Sequence, residues 1–411
     1  MSVVQFTQVL SRGCGMDIHK KVVVAAVQGE GICKETRSFD TFTRSLTQLR
    51  EWLVSLGITH VAMESTGVYW KPIYNVFEGF IPHIWIVNAR HIKNVPGHKT
   101  DKNDSEWICQ LLMAGLLKPS FIPPKAQREL RDLTRYRRKL IQFVSANKNR
   151  IIRILEDGNI KLSSVLRDTS GATAVKLIDM LCDGKQITLS DIESVCHGRC
   201  QHTKEEMLEA CTGCLDEHKV YMLGKIRECN ASLKEYILDF DKRIKDVSSS
   251  YHDAIERMCE IPGIQNCVCE DLVAEIGLDM SNFSTSAHLC SWAGMCPGNN
   301  ESAGKKKSGR TNHGDKQVKE TLVEAAWAAS RAKGTFFMER FNRLAPRKGS
   351  KKALIVGHSL LKCIHYVLST GGRYKEWGDN YVPNKKEQKR KEYLKKELQK
   401  LGYSVKLSKE D

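Results

Sequence analysis

Between Cys14 and Leu117 the chain alternates strand-type and helix-type patterns, and this order limits the fold more than any other feature. Met16 to Val27 contains the β-branched run Lys21-Val22-Val23-Val24-Ala25-Ala26-Val27. A Gly29-Glu30-Gly31 turn follows, and Cys33 to Thr41 reads as a returning strand. Thr43 to Leu56 then carries Leu46, Leu49, Leu53 and Leu56 at helical spacing. His60 to Glu64 and His83 to Val87 are apolar runs of strand length with a helical stretch, Tyr69 to Phe80, between them. Lys102 to Leu116 closes the segment as a helix with Ile108, Leu111, Leu112 and Leu116 on one side. Strands first, then strands alternating with helices, predict an α/β sheet domain over 14–117.

Pro119 to Pro124 breaks the pattern, and a long basic helix is expected from Lys125 to Glu156. It carries Arg128, Arg131, Arg135, Arg137, Arg138, Lys139, Lys148, Arg150 and Arg153 beside an apolar stripe that includes Leu130, Leu140 and Ile151. Glu205 to Val247 has Leu223, Ile226, Leu233, Ile237 and Ile244 at three- and four-residue steps. The two stretches predict antiparallel helices or a coiled coil over 125–247, either packed within one chain or joining two. A third domain is expected over 252–372, and from Asn384 to Asp411 a Lys- and Glu-rich tail reads as a solvated helix or disorder. No internal repeat is visible.

A formal net charge of +16, from 64 Lys and Arg against 48 Asp and Glu, points to a polyanionic partner. Phosphates exchange condensed counterions for cationic side chains, and nucleic acid is the polyanion that suits such a chain best. No apolar run reaches the length of a membrane span, and Met1 to Arg12 lacks the pattern of a secretion signal. Fifteen cysteines scattered through an ordinary globular composition read as reduced thiols in a cytoplasm.

Four acids stand apart by context. Asp17 lies in Gly15-Met16-Asp17-Ile18-His19, expected at the start of the first strand, and Glu64 ends a later one. Asp101 and Asp104 open a helix three residues apart, so both can point at one site. Each alone reads as a turn or helix cap. Together they are the set of hard oxygen donors that phosphodiester cleavage with two divalent ions requires, the ions sitting roughly 3.5–4 Å apart. Four such acids gathered without metal would repel one another.

The strings Met16-Asp17-Ile18-His19-Lys20, Met63-Glu64-Ser65-Thr66-Gly67-Val68-Tyr69-Trp70 and Lys99-Thr100-Asp101-Lys102-Asn103-Asp104 resemble the DEDD transposases of bacterial insertion sequences. These carry a RuvC-like domain of the ribonuclease H fold. The resemblance implies that Asp17, Glu64, Asp101 and Asp104 are catalytic and bind Mg²⁺ or Mn²⁺. After the last acid the family usually shows Ala; this chain has Ser105.

The resemblance continues in Trp292-Ala293-Gly294-Met295-Cys296-Pro297 and Asn299-Asn300-Glu301-Ser302-Ala303-Gly304-Lys305-Lys306-Lys307-Ser308-Gly309-Arg310, with Leu322 to Ala326 downstream. A serine in a glycine-flanked loop beside Lys305, Lys306, Lys307 and Arg310 can meet a phosphate closely, or the loop can be only a flexible basic contact. The family's C-terminal transposase domain implies a serine that attacks DNA and forms a phosphoserine link. Ser302 is the matching position, with Ser308 as the other candidate. The resemblance further implies a DNA partner at element ends and target, a structured guide RNA from the element, a homodimer or tetramer, and a place in the bacterial cytoplasm at the nucleoid. Base pairing would then read sequence while the protein reads backbone and shape. Lys99, Arg128, Arg131, Arg135 and Arg138 join Lys305, Lys306, Lys307 and Arg310 as expected nucleic-acid contacts.

Ile261-Pro262-Gly263-Ile264 suggests a hairpin between helices resembling a helix-hairpin-helix element, in which Gly263 would let backbone approach a phosphate, or else a simple connection. Cys196, Cys200, Cys211 and Cys214, with His197 and His202, have irregular spacing for zinc and read better as reduced thiols. His19 and His98 adjoin the acids and could move protons or contact phosphate. Tyr69 and Trp70 fit helix core better than base stacking. Two further functions fit parts of the pattern: a structure-selective, metal-dependent nuclease of the junction-resolvase kind, using water and no serine, and a non-catalytic nucleic-acid-binding scaffold whose acids are caps.

Overall fold

The structure, a computed structural model, describes residues 9–65, 67–88, 104–196, 202–296, 300–302, 305–308, 311, 313–348, 354–376, 378, 381–400 and 404. The chain divides into two compact units, Met1–Pro123 and Pro124–Asp411.

The first unit is built on a five-stranded sheet of order β3-β2-β1-β4-β5. Strands β1 (Arg12–Ile18), β2 (Val22–Gly29) and β3 (Ile32–Asp40) are antiparallel neighbours, and β4 (His60–Glu64) and β5 (His83–Val87) add parallel to β1. Helices α1 (Thr43–Ser55) and α2 (Trp70–Phe77) cover one face, where Leu46, Leu49, Leu53, Ile73 and Phe77 pack on Met16, Val61 and Met63. The helical spacing read from the sequence is the spacing that buries these leucines.

Helix α3 (Asp104–Met113) covers the other face. There Ile108, Leu111 and Leu112 pack with Ala62 and Val87, and Cys109 and Met113 pack with Ala26. The period-2 alternation of strands assigns residues to the two faces: Met63 goes to α1 and α2, Ala62 to α3.

One position differs from the sequence reading. Asp17 stands near the end of β1, not at the start of a strand, because β1 begins at Arg12 and turns after Ile18 into β2. The β-branched run that reads as the first strand from sequence is the second.

In the second unit, α4 (Lys125–Asp157) is the long basic helix. Helices α5 (Leu162–Val165), α6 (Ala172–Cys182), α7 (Leu189–Val195) and α8 (Lys204–Ala210) follow, with a small core of their own that includes Leu162, Leu177, Ile192 and Met207. The helix expected from Glu205 to Val247 is interrupted. A reciprocal Thr203–Glu206 capping box starts α8, and Asp216 caps a separate helix, α9 (Glu217–Val247). Between them Cys214 N–H donates to Gly158 O at 3.0 Å, tying the break to the end of α4.

Helices α4 and α9 run antiparallel within one chain. Asn147 Nδ2 donates to Asn230 Oδ1 at 2.9 Å, Arg137 Nη1 reaches Asp241 Oδ1 at 2.9 Å, and the Tyr136 and Phe240 rings lie 5.1 Å apart.

Leu130 of α4 and Ile244 of α9 enter a larger core formed with α10 (His252–Cys259), α11 (Asn266–Ile276), α12 (Ser286–Trp292), α13 (Lys316–Ala329), α14 (Phe336–Lys348) and α15 (Leu354–Thr370). A short hairpin, β6 (Asn300–Ser302) and β7 (Lys305–Ser308), sits between α12 and α13. Helix α16 (Tyr381–Lys400) forms the charged tail, exposed along most of 390–400. Among the described residues no helix is long and apolar enough to cross a membrane.

Gly263, at the hairpin between α10 and α11, has φ +85°. A Cβ there would lie 2.4 Å from Ala329 N and 2.7 Å from Ala325 O. The backbone that the sequence reading offered to a phosphate is thus pressed against α13, and this close approach explains the glycine.

Candidate functional site

Glycines prepare the α3 face of β1. A Cβ on Gly13 would meet Met113 Sδ at 2.8 Å; one on Gly15 would meet Cys109 N at 2.2 Å and Ser105 O at 2.3 Å. Helix α3 therefore runs opposite to β1, with its start toward the end of the strand. Asp17 follows Gly13 and Gly15 on the same face, two residues on, which is roughly 6.6 Å farther along. That step leads toward Asp104, the first described residue of α3.

Glu64 reaches the same end by the sheet register. Gly15 pairs with Ala62 and Met16 with Met63 in the parallel β1–β4 ladder. One step farther, Asp17 and Glu64 occupy neighbouring strands and share the α3 face with Gly15 and Ala62. Ser65 N–H donates to Val87 O at 2.9 Å and fixes the chain just past Glu64.

The helix is locked in this pose across the sheet. Lys34 Nζ and Thr36 Oγ1 of β3 bind Glu106 of α3 at 2.8 and 3.1 Å. The Lys34 hydrogen bond holds the Glu106 carboxyl below its usual range, against a smaller opposing effect of burial.

His19 Nε2 lies 3.0 Å from Asp17 Oδ2, so of the two histidines singled out in the sequence this one touches an acid. His98, Asp101 and Lys99 lie outside the described residues. Among the described residues no three His, Cys, Asp or Glu side chains are close enough together to hold an ion. Asp17, Glu64 and Asp104 stand at one end of the sheet, on β1, β4 and the start of α3, and their carboxylates are hard oxygen donors, the ligand type that divalent cations such as Mg²⁺ take. Trp70 opens α2, half-buried against Tyr74 at 5.9 Å, whereas Tyr69 is exposed.

The order of the four acids, the basic second unit and the serine hairpin meet in one family. Residues 14–160 match the family model for the DEDD transposase of the IS110 type, described as Transposase. Residues 255–341 match the model described as Transposase IS116/IS110/IS902 family. The chain belongs to the IS110 family of DEDD transposases. No curated protein matches it. This IS110 transposase is an enzyme of insertion sequences that acts on DNA, in a family that depends on divalent metal.

In the second unit of the transposase only the backbone of the serine hairpin is described: Ser302 ends β6 opposite Lys305, and Asn300 pairs with Ser308. The side chains of Ser302, Ser308, Lys305, Lys306 and Lys307, and all of Arg310, lie outside the described part. The excursion is closed at its root, where Asp315 N–H donates to Trp292 O at 3.2 Å. There a Cβ on Gly314 would lie 2.1 Å from Gly294 N.

The arginines of α4 have an arrangement that the sequence did not disclose. Arg131 and Arg135 both bind the buried Glu275 at the end of α11, at 3.0 and 2.6 Å. Arg131 also donates to the Ala274 and Glu275 carbonyls, and Gln127 to Ala274 O, so that α4 side chains satisfy the last carbonyls of α11. Arg138 reaches Thr321, Glu324 and Glu320 of α13 at 2.7, 3.2 and 3.5 Å. Arg137, 3% exposed, is held by Asp241, Glu270 and Asp271 at 2.7–2.9 Å.

Burial raises Glu275, Glu270 and Asp271 despite these partners. Phosphate contact was expected of Arg131, Arg135 and Arg138; in the structure their guanidinium groups bind α11 and α13. Arg128 is half-buried one turn earlier. A sequence shows the arginines of α4 but not which acids, 104 or more residues away, will meet them.

In the cysteine-rich stretch, Cys196 Sγ lies 3.6 Å from Met207 Sδ, Cys211 is buried and Cys214 exposed. Cys200 and His197 lie outside the described residues.

Proposed function

We propose that the transposase holds Mg²⁺ or Mn²⁺ with Asp17, Glu64, Asp101 and Asp104, uses Ser302 as its nucleophile, and is guided by an RNA encoded by the element. The placement of Asp17 and Glu64 on one face at the ends of adjacent strands, at the start of α3, carries this reading. The functional divisions are 14–117 for the acids, 125–247 for the helical arm, 252–372 for the serine and 384–411 for the tail.

A divalent metal held by these acids would supply positive charge to a phosphate oxygen there. The Ser302 oxygen attacks phosphorus, loses its proton, and forms a phosphoserine ester as the strand's P–O bond breaks. The departing oxygen takes up a proton. A second strand's hydroxyl then displaces serine, restoring the free side chain and sealing the new phosphodiester. Lys305, Lys306, Lys307 and Arg310 would balance charge on the transferring phosphate. Lys99 would hold backbone near the acids. Exchange between two duplexes needs at least two copies of the chain.

The test is strand exchange with purified protein on a substrate built from the element junction, with denaturing gels to trap the covalent adduct. Ser302→Ala and Asp17→Asn should each abolish exchange while DNA affinity stays within about twofold. Exchange by Asp17→Asn at the native rate would remove the acid site from the mechanism. Cleavage without any trappable adduct would favour attack by water, as in a junction resolvase.

A further inference from the structure

Several arginines at the core of the second unit have carboxylate partners; among the described residues Arg257 on α10 and two on α14 have none. Arg340 and Arg343 stand three residues apart on one helix face, and the Nε atoms of both are buried without a hydrogen-bond partner among the described residues. Leaving a buried donor idle costs about 1–3 kcal/mol, so such groups call for an acceptor that arrives from outside.

The surroundings of these arginines are cationic. Helix α14 packs against α15, which brings His358 and Lys362, one turn apart, to the same region. Burial, then Lys362 and Arg340, hold His358 below its ordinary range; burial and Arg343 lower Arg340. The neighbouring acid, Glu339, leaves its own Oε2 buried without a partner among the described residues.

The cluster also has a telling address. A Cβ on Gly357, the residue before His358, would lie 2.9 Å from Met295 Cε. Met295 follows Gly294, the root from which the Ser302 segment departs.

We infer that Arg340, Arg343, His358 and Lys362 form a phosphodiester-binding site that grips the DNA backbone beside the root of the Ser302 segment. A phosphate offers several acceptor oxygens, which suit guanidinium donors in pairs and reward desolvated cations whose Nε has no hydrogen-bond partner among the described residues. The site rests on the family's action on DNA and is independent of the role given to Ser302, because binding alone reads it.

The experiment measures the affinity of the full-length protein for a fluorescent DNA duplex, and for an RNA duplex of the same sequence, across a salt series. Arg340→Gln and Arg343→Gln should each weaken DNA binding roughly 5- to 10-fold and reduce the salt slope by about one, as loss of one phosphate contact does. Arg340→Lys should keep the slope. Lys242→Gln, at an exposed cation on α9, is the control and should change affinity less than twofold. The melting temperatures of the glutamine variants should not fall, since no internal ion pair is broken. Native affinity and slope in both glutamine variants would overturn the site, as would a loss confined to RNA or a loss that follows a fall in melting temperature.

Discussion

Gly15 lies directly beneath Cys109: a single carbon added to its Cα would stand 2.2 Å from the Cys109 backbone nitrogen. This contact sets how close α3 comes to β1, and therefore where Asp104 stands relative to Asp17. Gly15→Ala should push the helix away by the width of a methyl group. A loss of about 2–4 kcal/mol in stability is expected, within the range for overpacked or strained sites. Denaturant unfolding measures it, and catalysis should fall further than the folded fraction does. A variant as stable and active as the native protein would refute the close approach.

Ser105 raises the opposite expectation. Its hydroxyl is buried and has no hydrogen-bond partner among the described residues. Alanine removes an idle polar group and favours the helix, so Ser105→Ala should be neutral or stabilise by up to about 1 kcal/mol. Thermal unfolding decides it, and DNA cleavage should be unchanged.

Cys109 gives the first unit an alkaline limit. Burial pushes its thiol up to about 11, while Sγ donates to Gly13 O at 3.5 Å. The folded state therefore keeps the proton longer than the unfolded chain, whose thiol titrates near 9. The contribution is complete below pH 9 and is lost as pH rises through 11; its full size is on the order of 2–3 kcal/mol. Cys109→Ala should be less stable at pH 7.5 and show a flatter decline between pH 9 and 10.5 in melting curves. An equally steep decline would assign the effect elsewhere, Cys14 being the next candidate because burial raises it too.

Arg137 is the cation on which three acids depend. Replacing it by methionine strands Asp241, Glu270 and Asp271 without their shared partner. Breaking one side of a buried ionic network costs about 3–5 kcal/mol. Arg137→Met should unfold the second unit at lower denaturant, with the gap narrowing at acid pH as Glu270 and Asp271, both raised by burial, take up protons. Circular dichroism at pH 7 and pH 4.5 measures both effects.

Local chemistry made the elements legible. Leucines at 46, 49 and 53 have the spacing of a helix with one buried side, and the runs at 60–64 and 83–87 have the length of strands; the structure has both. The acids were legible as a set because their order and sequence contexts match a family. The interruption between Ala210 and Asp216 was missed, although Thr203 with Glu206 and Asp216 are cap residues visible in the chain; a continuous apolar period hid them.

Sequence by itself determined the periodicities, the excess of positive charge and the residue types at the candidate site, because each is carried by neighbours along the chain. Only the tertiary structure decided that Asp17 lies near the end of the strand next to the one that Glu64 ends, that Gly263 presses on α13, and that the arginines of α4 meet α11 and α13 while the Nε atoms of Arg340 and Arg343 have no partner among the described residues. Those outcomes depend on register and on partners far apart in the chain. Short-range pattern carries no information about either.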